Sequence, residues 1–120
     1  MRVLVIDDEA SARTILTANL VAEGFDVRSV SSAIDAISVL ANKTWNPDLL
    51  LLDYMMPRMT GDDVVDAMKV LRGLHQAPVI IVSASDVIPE RLRQQARAVF
   101  RKPVDFPALF HAIRTLVPHP

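Results

Sequence analysis

Five side chains in this sequence are placed where they could act together. Asp7 and Asp8 directly follow the apolar run Val3–Ile6, Asp53 follows Leu49–Leu52, and Ser83 follows Val79–Val82. Lys102 closes the stretch that begins with Ala98-Val99-Phe100. Taken singly, each could be an ordinary turn former, since Asp and Ser are common in turns. Together, three carboxylates, a hydroxyl and an ammonium form a specific chemical inventory. Carboxylates brought within a few ångströms of one another repel, and a divalent cation removes that conflict. Hard oxygen ligands, few in number and open to water, suit Mg²⁺ (or Mn²⁺). The expectation is direct ligation by Asp8, Asp53 and a loop carbonyl, with Asp7 acting through water. Lys102 then supplies a mobile point charge for a phosphoryl oxygen, and Ser83 a hydroxyl donor. Phosphoryl transfer asks mainly for positioning and charge neutralisation, which this set could provide.

The elements that must position these groups are legible as short runs. Val3–Ile6, Leu49–Leu52 and Val79–Val82 are continuously apolar and rich in branched residues, the pattern of strands buried on both faces. Phe25-Asp26-Val27-Arg28-Ser29-Val30 alternates, as an edge strand would, and Ala98-Val99-Phe100 is short and flanked by arginines. Helical spacing predicts helices over 10–23, stopped by Gly24, over 32–41, over 62–71 with Gly73 after it, and over 106–117. Pro107 suits the first turn of the last helix, and Pro118 ends it. A short helix is expected around 88–95, opened by Pro89.

Strand and helix alternate five times, which implies an α/β fold: a doubly wound parallel sheet with right-handed crossovers. Placing the buried runs in the middle gives the flavodoxin-like order 2-1-3-4-5, with five helices. In such sheets ligands bind at the carboxyl ends of the strands, near the switch point between strands 1 and 3. Asp7, Asp8 and Asp53 fall on both sides of that point.

Composition narrows the class. The chain has 120 residues, about half of them apolar, which suits one packed domain. A net charge of -1 gives no case for general affinity to nucleic acid or to an anionic membrane. Residues 1–66 carry 5 basic and 11 acidic side chains and residues 67–120 carry 8 and 3, an asymmetry that hints at a segregated surface or site. Without cysteine there is neither a disulfide frame nor a thiolate metal site. No apolar run approaches the length of a membrane span, and the start is too short and too soon acidic for a signal peptide. Cytoplasmic location is the default expectation.

Four motifs in order resemble the receiver family of two-component response regulators across essentially the whole chain. They are Val5-Ile6-Asp7-Asp8, Leu51-Leu52-Asp53 through Pro57 to Gly61, Ile81-Val82-Ser83-Ala84 and Lys102-Pro103. The resemblance implies that Asp53 takes a phosphoryl group from a histidine kinase or a histidine phosphotransfer protein. It also implies that Asp8 binds Mg²⁺ directly, Asp7 through water, and Met55 through its backbone carbonyl. Ser83 would be the switch hydroxyl, Ala84 the small residue leaving room for the phosphoryl group, and Lys102 its ion-pair partner. The family's Lys–Pro bond is cis, so a cis peptide is implied before Pro103. Gly61 would allow the turn into the third helix. The implied organisation is a receiver domain over 1–117 and a frayed tail over 118–120. The implied role is signalling rather than enzymatic, limited to the domain's own phosphorylation and slow autodephosphorylation. Output would pass through the face made by the fourth helix, fifth strand and fifth helix, to a protein target or a second copy, without direct contact to nucleic acid or membrane.

Two features depart from the family pattern. Three positions before Lys102, where the family carries an aromatic residue or histidine, stands Val99; the adjacent Phe100 should point to the opposite face. Coupling is therefore expected through loop and helix movement. Ser83 and Lys102 are 19 positions apart, about one helical turn fewer than is familiar, and Gln95 stands where glycine is common. The fourth helix should be short and its surface basic, through Arg91, Arg93, Arg97 and Arg101. That surface reads first as a solvated face and second as a docking face for an acidic partner.

Other functions fit less well. A pseudo-receiver, binding proteins without phosphorylation, would not need the full acidic set and Lys102. A hydrolase of the aspartyl-phosphate type would carry a second acid two residues after the nucleophile, where Met55 stands. His75, His111 and His119 lie in a loop, a helix and the tail, poorly placed for phosphohistidine chemistry. Met55, Met56 and Met59 lack the histidine or cysteine of a soft metal site. Trp45 should cover the bottom of the sheet, and no phosphate-binding glycine loop is present.

Overall fold

The computed structural model describes residues 1–54, 61–85 and 87–117, and for residues 61, 62, 64 and 65 the backbone alone. The elements are β1 (Arg2–Ile6), α1 (Ala10–Ala22), β2 (Asp26–Val30), α2 (Ala33–Asn42), β3 (Leu49–Asp53), α3 (Gly61–Leu74), β4 (Val79–Ser83), α4 (Glu90–Arg93), β5 (Ala98–Arg101) and α5 (Phe106–Leu116). All strand pairs are parallel, in the order β2-β1-β3-β4-β5. The continuously apolar runs are the three central strands, as expected.

Alternation along those strands divides the core in two. Leu4, Ile6, Leu50, Leu52, Val79 and Ile81 pack with Ala36 and Leu40 of α2, Met68 and Leu71 of α3, and Leu92 of α4. Val3, Val5, Leu49, Leu51, Ile80 and Val82 pack with Leu16 and Leu20 of α1 and Leu109 and Ile113 of α5. Each fully buried leucine or isoleucine contributes about 2 kcal/mol relative to exposure. The polar residue after each apolar run marks the register of the central strands: a one-residue shift would draw Asp53 or Ser83 into the core or push Leu52 or Val82 out to the rim. The rim residues are registered by the same constraint.

Local chemistry ends the helices. Gly24, at φ 98, turns the chain out of α1, and its N–H donates to the Val21 carbonyl. The Ser32 hydroxyl accepts the Asp35 N–H at 3.1 Å and the Asp105 carboxylate accepts the Ala108 N–H at 3.1 Å, capping α2 and α5. Trp45 is buried, with the guanidinium groups of Arg2 and Arg28 at 5.8 and 4.9 Å from its ring.

Two helices differ from expectation. α3 runs through Gly73 to Leu74, because Leu71 is buried and Leu74 packs on the core, and this offsets the roughly 1 kcal/mol cost of a helical glycine. α4 has only four residues. Pro89 holds its own backbone extended at the start, and Arg97 donates its N–H to the Val79 carbonyl at 2.8 Å, drawing the chain back into the sheet. Arg72 of α3 donates to the Gln95 carbonyl at 3.1 Å, tying that short turn to its neighbour. Among the described residues no helix is long and apolar enough to cross a membrane. The tail 118–120 lies outside the described residues.

Candidate functional site

The carboxyl ends of β1, β3 and β4 and the chain just after β5 form one rim. Asp53 is the last residue of β3 and Ser83 the last of β4. The ladders continue one step past the strands: Asp7 donates its N–H to Val30, Tyr54 to Val82 and Lys102 to Ser83, at 3.1, 3.2 and 2.9 Å. These bonds fix the backbone beneath each functional side chain.

Asp7, Asp8 and Asp53 each offer a carboxylate oxygen, and the three atoms lie within 4.8 Å of one another. Asp7 is fully buried, Asp53 nearly so, and Asp8 is the accessible member. The Lys102 ammonium lies 3.5 Å from Asp53 Oδ1 and 3.6 Å from Asp7 Oδ2. Among the described residues, one ammonium against three carboxylates leaves an excess of negative charge, which a divalent cation complements.

The two carboxylate oxygens of Asp7 differ in their surroundings. Oδ1 accepts the Glu9 N–H at 3.0 Å, whereas Oδ2 is buried with no hydrogen bond among the described residues and has the Lys102 ammonium 3.6 Å away. Buried carboxylate oxygens are normally satisfied. The donor set consists of hard oxygens only, which fits Mg²⁺ and offers nothing to a soft metal.

Ser83 is fully buried, and its Oγ accepts the Ser85 N–H at 3.0 Å. Val87 donates its N–H to Ser85 Oγ at 3.0 Å, so the loop after β4 is folded on its own hydroxyls. Ala84 is exposed in that loop. The peptide bond between Lys102 and Pro103 is cis. Met55, expected to give a carbonyl to the cation, lies outside the described residues.

Val99 packs on the α3/α4 side of the sheet and Phe100 on the α1/α5 side. The aromatic ring next to β5's end therefore faces away from α4. Arg91, Arg93, Arg97 and Arg101 are all exposed.

Sequence reasoning passed over one contributor. Arg13, in the first turns of α1, donates from Nη1 to the Asp7 backbone carbonyl at 2.7 Å. A basic residue one turn into the helix that follows an acidic pair was the available signal.

Residues 3–114 match the family of response regulator receiver domains. The DNA-binding response regulator MtrA of Mycobacterium tuberculosis is 37% identical over 83 residues, which cover 69% of this chain and 34% of that protein. The chain thus spans about a third of the length of the curated relatives it matches. The Francisella response regulator 1452 receiver domain superposes with a TM-score of 0.78 at 27% identity, covering 97% of this chain and 95% of that one. The response regulator TrrA of Thermotoga maritima, solved in complex with Mg²⁺–BeF, gives 0.79 at 26% identity, covering 96% and 97%. A family match over nearly all of the chain, on a flavodoxin-like fold with an acidic rim, has one meaning: the chain belongs to the receiver domains of two-component response regulators.

Proposed function

We propose that this domain accepts a phosphoryl group on Asp53, in a Mg²⁺-dependent reaction, from a phosphohistidine of a histidine kinase or a histidine phosphotransfer protein. The observation that carries the reading is the Asp53 carboxylate, nearly buried, clustered with Asp7 and Asp8 and 3.5 Å from the Lys102 ammonium.

An oxygen of Asp53 attacks phosphorus, the P–N bond of the donor breaks, and its electron pair returns to the imidazole, which takes a proton from solvent. The product is an aspartyl phosphate. Asp8, Asp53 and the Met55 carbonyl would hold the cation, with Asp7 reaching it through water; bound there, it would neutralise charge building on the phosphoryl oxygens. Lys102, already at the rim, pairs with a phosphoryl oxygen. Ser83 Oγ, which accepts the Ser85 N–H, has its own O–H to donate to another oxygen. Ala84 adds no bulk beside them.

Replacing the Asp53 carboxylate by an acyl phosphate of about −2 adds about one negative charge at the rim and three phosphoryl oxygens, which favours the arrangement in which Lys102 and Ser83 close on Asp53. With Val99 in place of an aromatic, the change passes through the loop 84–89 and the short α4. A protein target, or a second copy of the chain, reads the result at the α4-β5-α5 face.

Intact mass measurement after incubation with acetyl phosphate tests the reading. With Mg²⁺ the chain gains the mass of one phosphoryl group, and with EDTA it gains none. An unchanged mass with Mg²⁺ would leave the domain as a phosphorylation-independent binding module.

A further inference from the structure

Asp7 is held at three of its four polar atoms. Its N–H donates to Val30 at 3.1 Å, its Oδ1 accepts from Glu9 at 3.0 Å, and its carbonyl accepts from Arg13 Nη1 at 2.7 Å. The fourth atom, Oδ2, has no hydrogen bond among the described residues and faces Lys102 at 3.6 Å. Arg13 is itself anchored, since its N–H donates to the Glu9 carbonyl at 2.9 Å in the first turn of α1. The guanidinium therefore clamps the end of β1 to α1 across the turn that carries Asp8.

We propose that Arg13 is a positioning residue for the cation site: by holding the Asp7 carbonyl it presets the β1–α1 turn, and so the Asp7 and Asp8 carboxylates, for Mg²⁺. The proposal rests on the phosphoacceptor reading above. Two effects of the guanidinium compete. Its positive charge near the acidic rim opposes a second cation. Its short, charge-assisted hydrogen bond orders the turn and favours that cation. The ordering effect wins, because Arg13 makes its short contact with a backbone carbonyl rather than with a carboxylate of the cluster, and so does not compete for ligand oxygens. Residues that orient ligands in this way typically change metal affinity by about tenfold or more when removed.

The test is calorimetric titration of the unphosphorylated chain with Mg²⁺. Arg13→Met is expected to weaken binding about tenfold. Arg13→Lys, which keeps a cationic donor, recovers most of the loss. Arg13→Gln, which keeps an N–H donor without charge, falls between the Met variant and the wild type. Circular dichroism in EDTA checks that each variant is folded; should the Met variant not fold, Lys against Gln carries the comparison. Wild-type affinity or tighter in Arg13→Met, or tighter binding in Arg13→Gln, overturns the positioning role. A wild-type chain that neither binds Mg²⁺ nor takes up a phosphoryl group overturns the phosphoacceptor reading itself, whatever the variants do.

Discussion

Asp53→Asn will take up no phosphoryl group from acetyl phosphate and Mg²⁺ under conditions that modify the wild type to completion. The amide oxygen is neutral and a poor nucleophile, and the substitution also removes one of the three clustered carboxylates, so cation binding weakens along with the chemistry. Asn has nearly the shape of Asp, and the backbone here is held by the Tyr54 N–H bond to Val82, so the fold should survive. Intact mass after incubation gives the answer, with circular dichroism to show that the variant is folded. The experiment discriminates sharply because Asp8, the accessible carboxylate, lies in the same cluster. Continued uptake of one phosphoryl group by Asp53→Asn would move the acceptor to Asp8 or Asp7.

Lys102→Met will act in two opposite directions. Its ammonium lies within 3.6 Å of both Asp53 and Asp7, so before phosphorylation it competes with a cation for those oxygens. Removing it should tighten Mg²⁺ binding severalfold. Yet the same ammonium is the chain's own positive charge for a phosphoryl oxygen, and loss of one preorganised donor to developing charge costs about a hundredfold in rate. Phosphoryl uptake should fall by about that factor at saturating Mg²⁺. Titration and a time course of intact mass read the two effects separately. A parallel fall in both would mean that Lys102 only holds the rim together, and unchanged uptake would remove it from the chemistry.

What the sequence made legible follows from what the fold demands. Leu49–Leu52 and Val79–Val82 announce their strands because a parallel strand covered on both faces cannot alternate. Asp26–Val30 lies at the edge, paired to β1 alone and only half covered, so it keeps polar residues: Val27 packs on one face, Val30 on the other, and Asp26, Arg28 and Ser29 are exposed. The positions of Asp7, Asp53 and Ser83 were readable from the buried runs, since a polar residue ending a buried strand lies at the rim, and that of Lys102 from the shorter, half-buried stretch of β5.

Other features depend on contacts that no local pattern encodes. The adjacent residues Asp7 and Asp8 look alike in sequence. One is buried and the other accessible because the ladder bond from Asp7 to Val30 keeps it in the sheet while the turn begins at Asp8. The early end of α4 is set by the Val79 carbonyl, 18 residues before Arg97 in the chain. Gly73 has the composition of a stop, but burial of Leu71 and packing of Leu74 carry α3 past it. The role of Arg13 depends on a hydrogen bond to a backbone carbonyl, and side-chain spacing does not report such bonds.

A crystal structure of the chain with Mg²⁺ and beryllofluoride, a tetrahedral stand-in for a phosphoryl group, bears most directly on all of this. The expected result is beryllium bonded to a carboxylate oxygen of Asp53, Mg²⁺ against Asp8 and Asp53, and the Lys102 ammonium and Ser83 hydroxyl drawn to fluorides. Beryllofluoride on any other side chain, or Mg²⁺ bound without Asp53, would contradict the account.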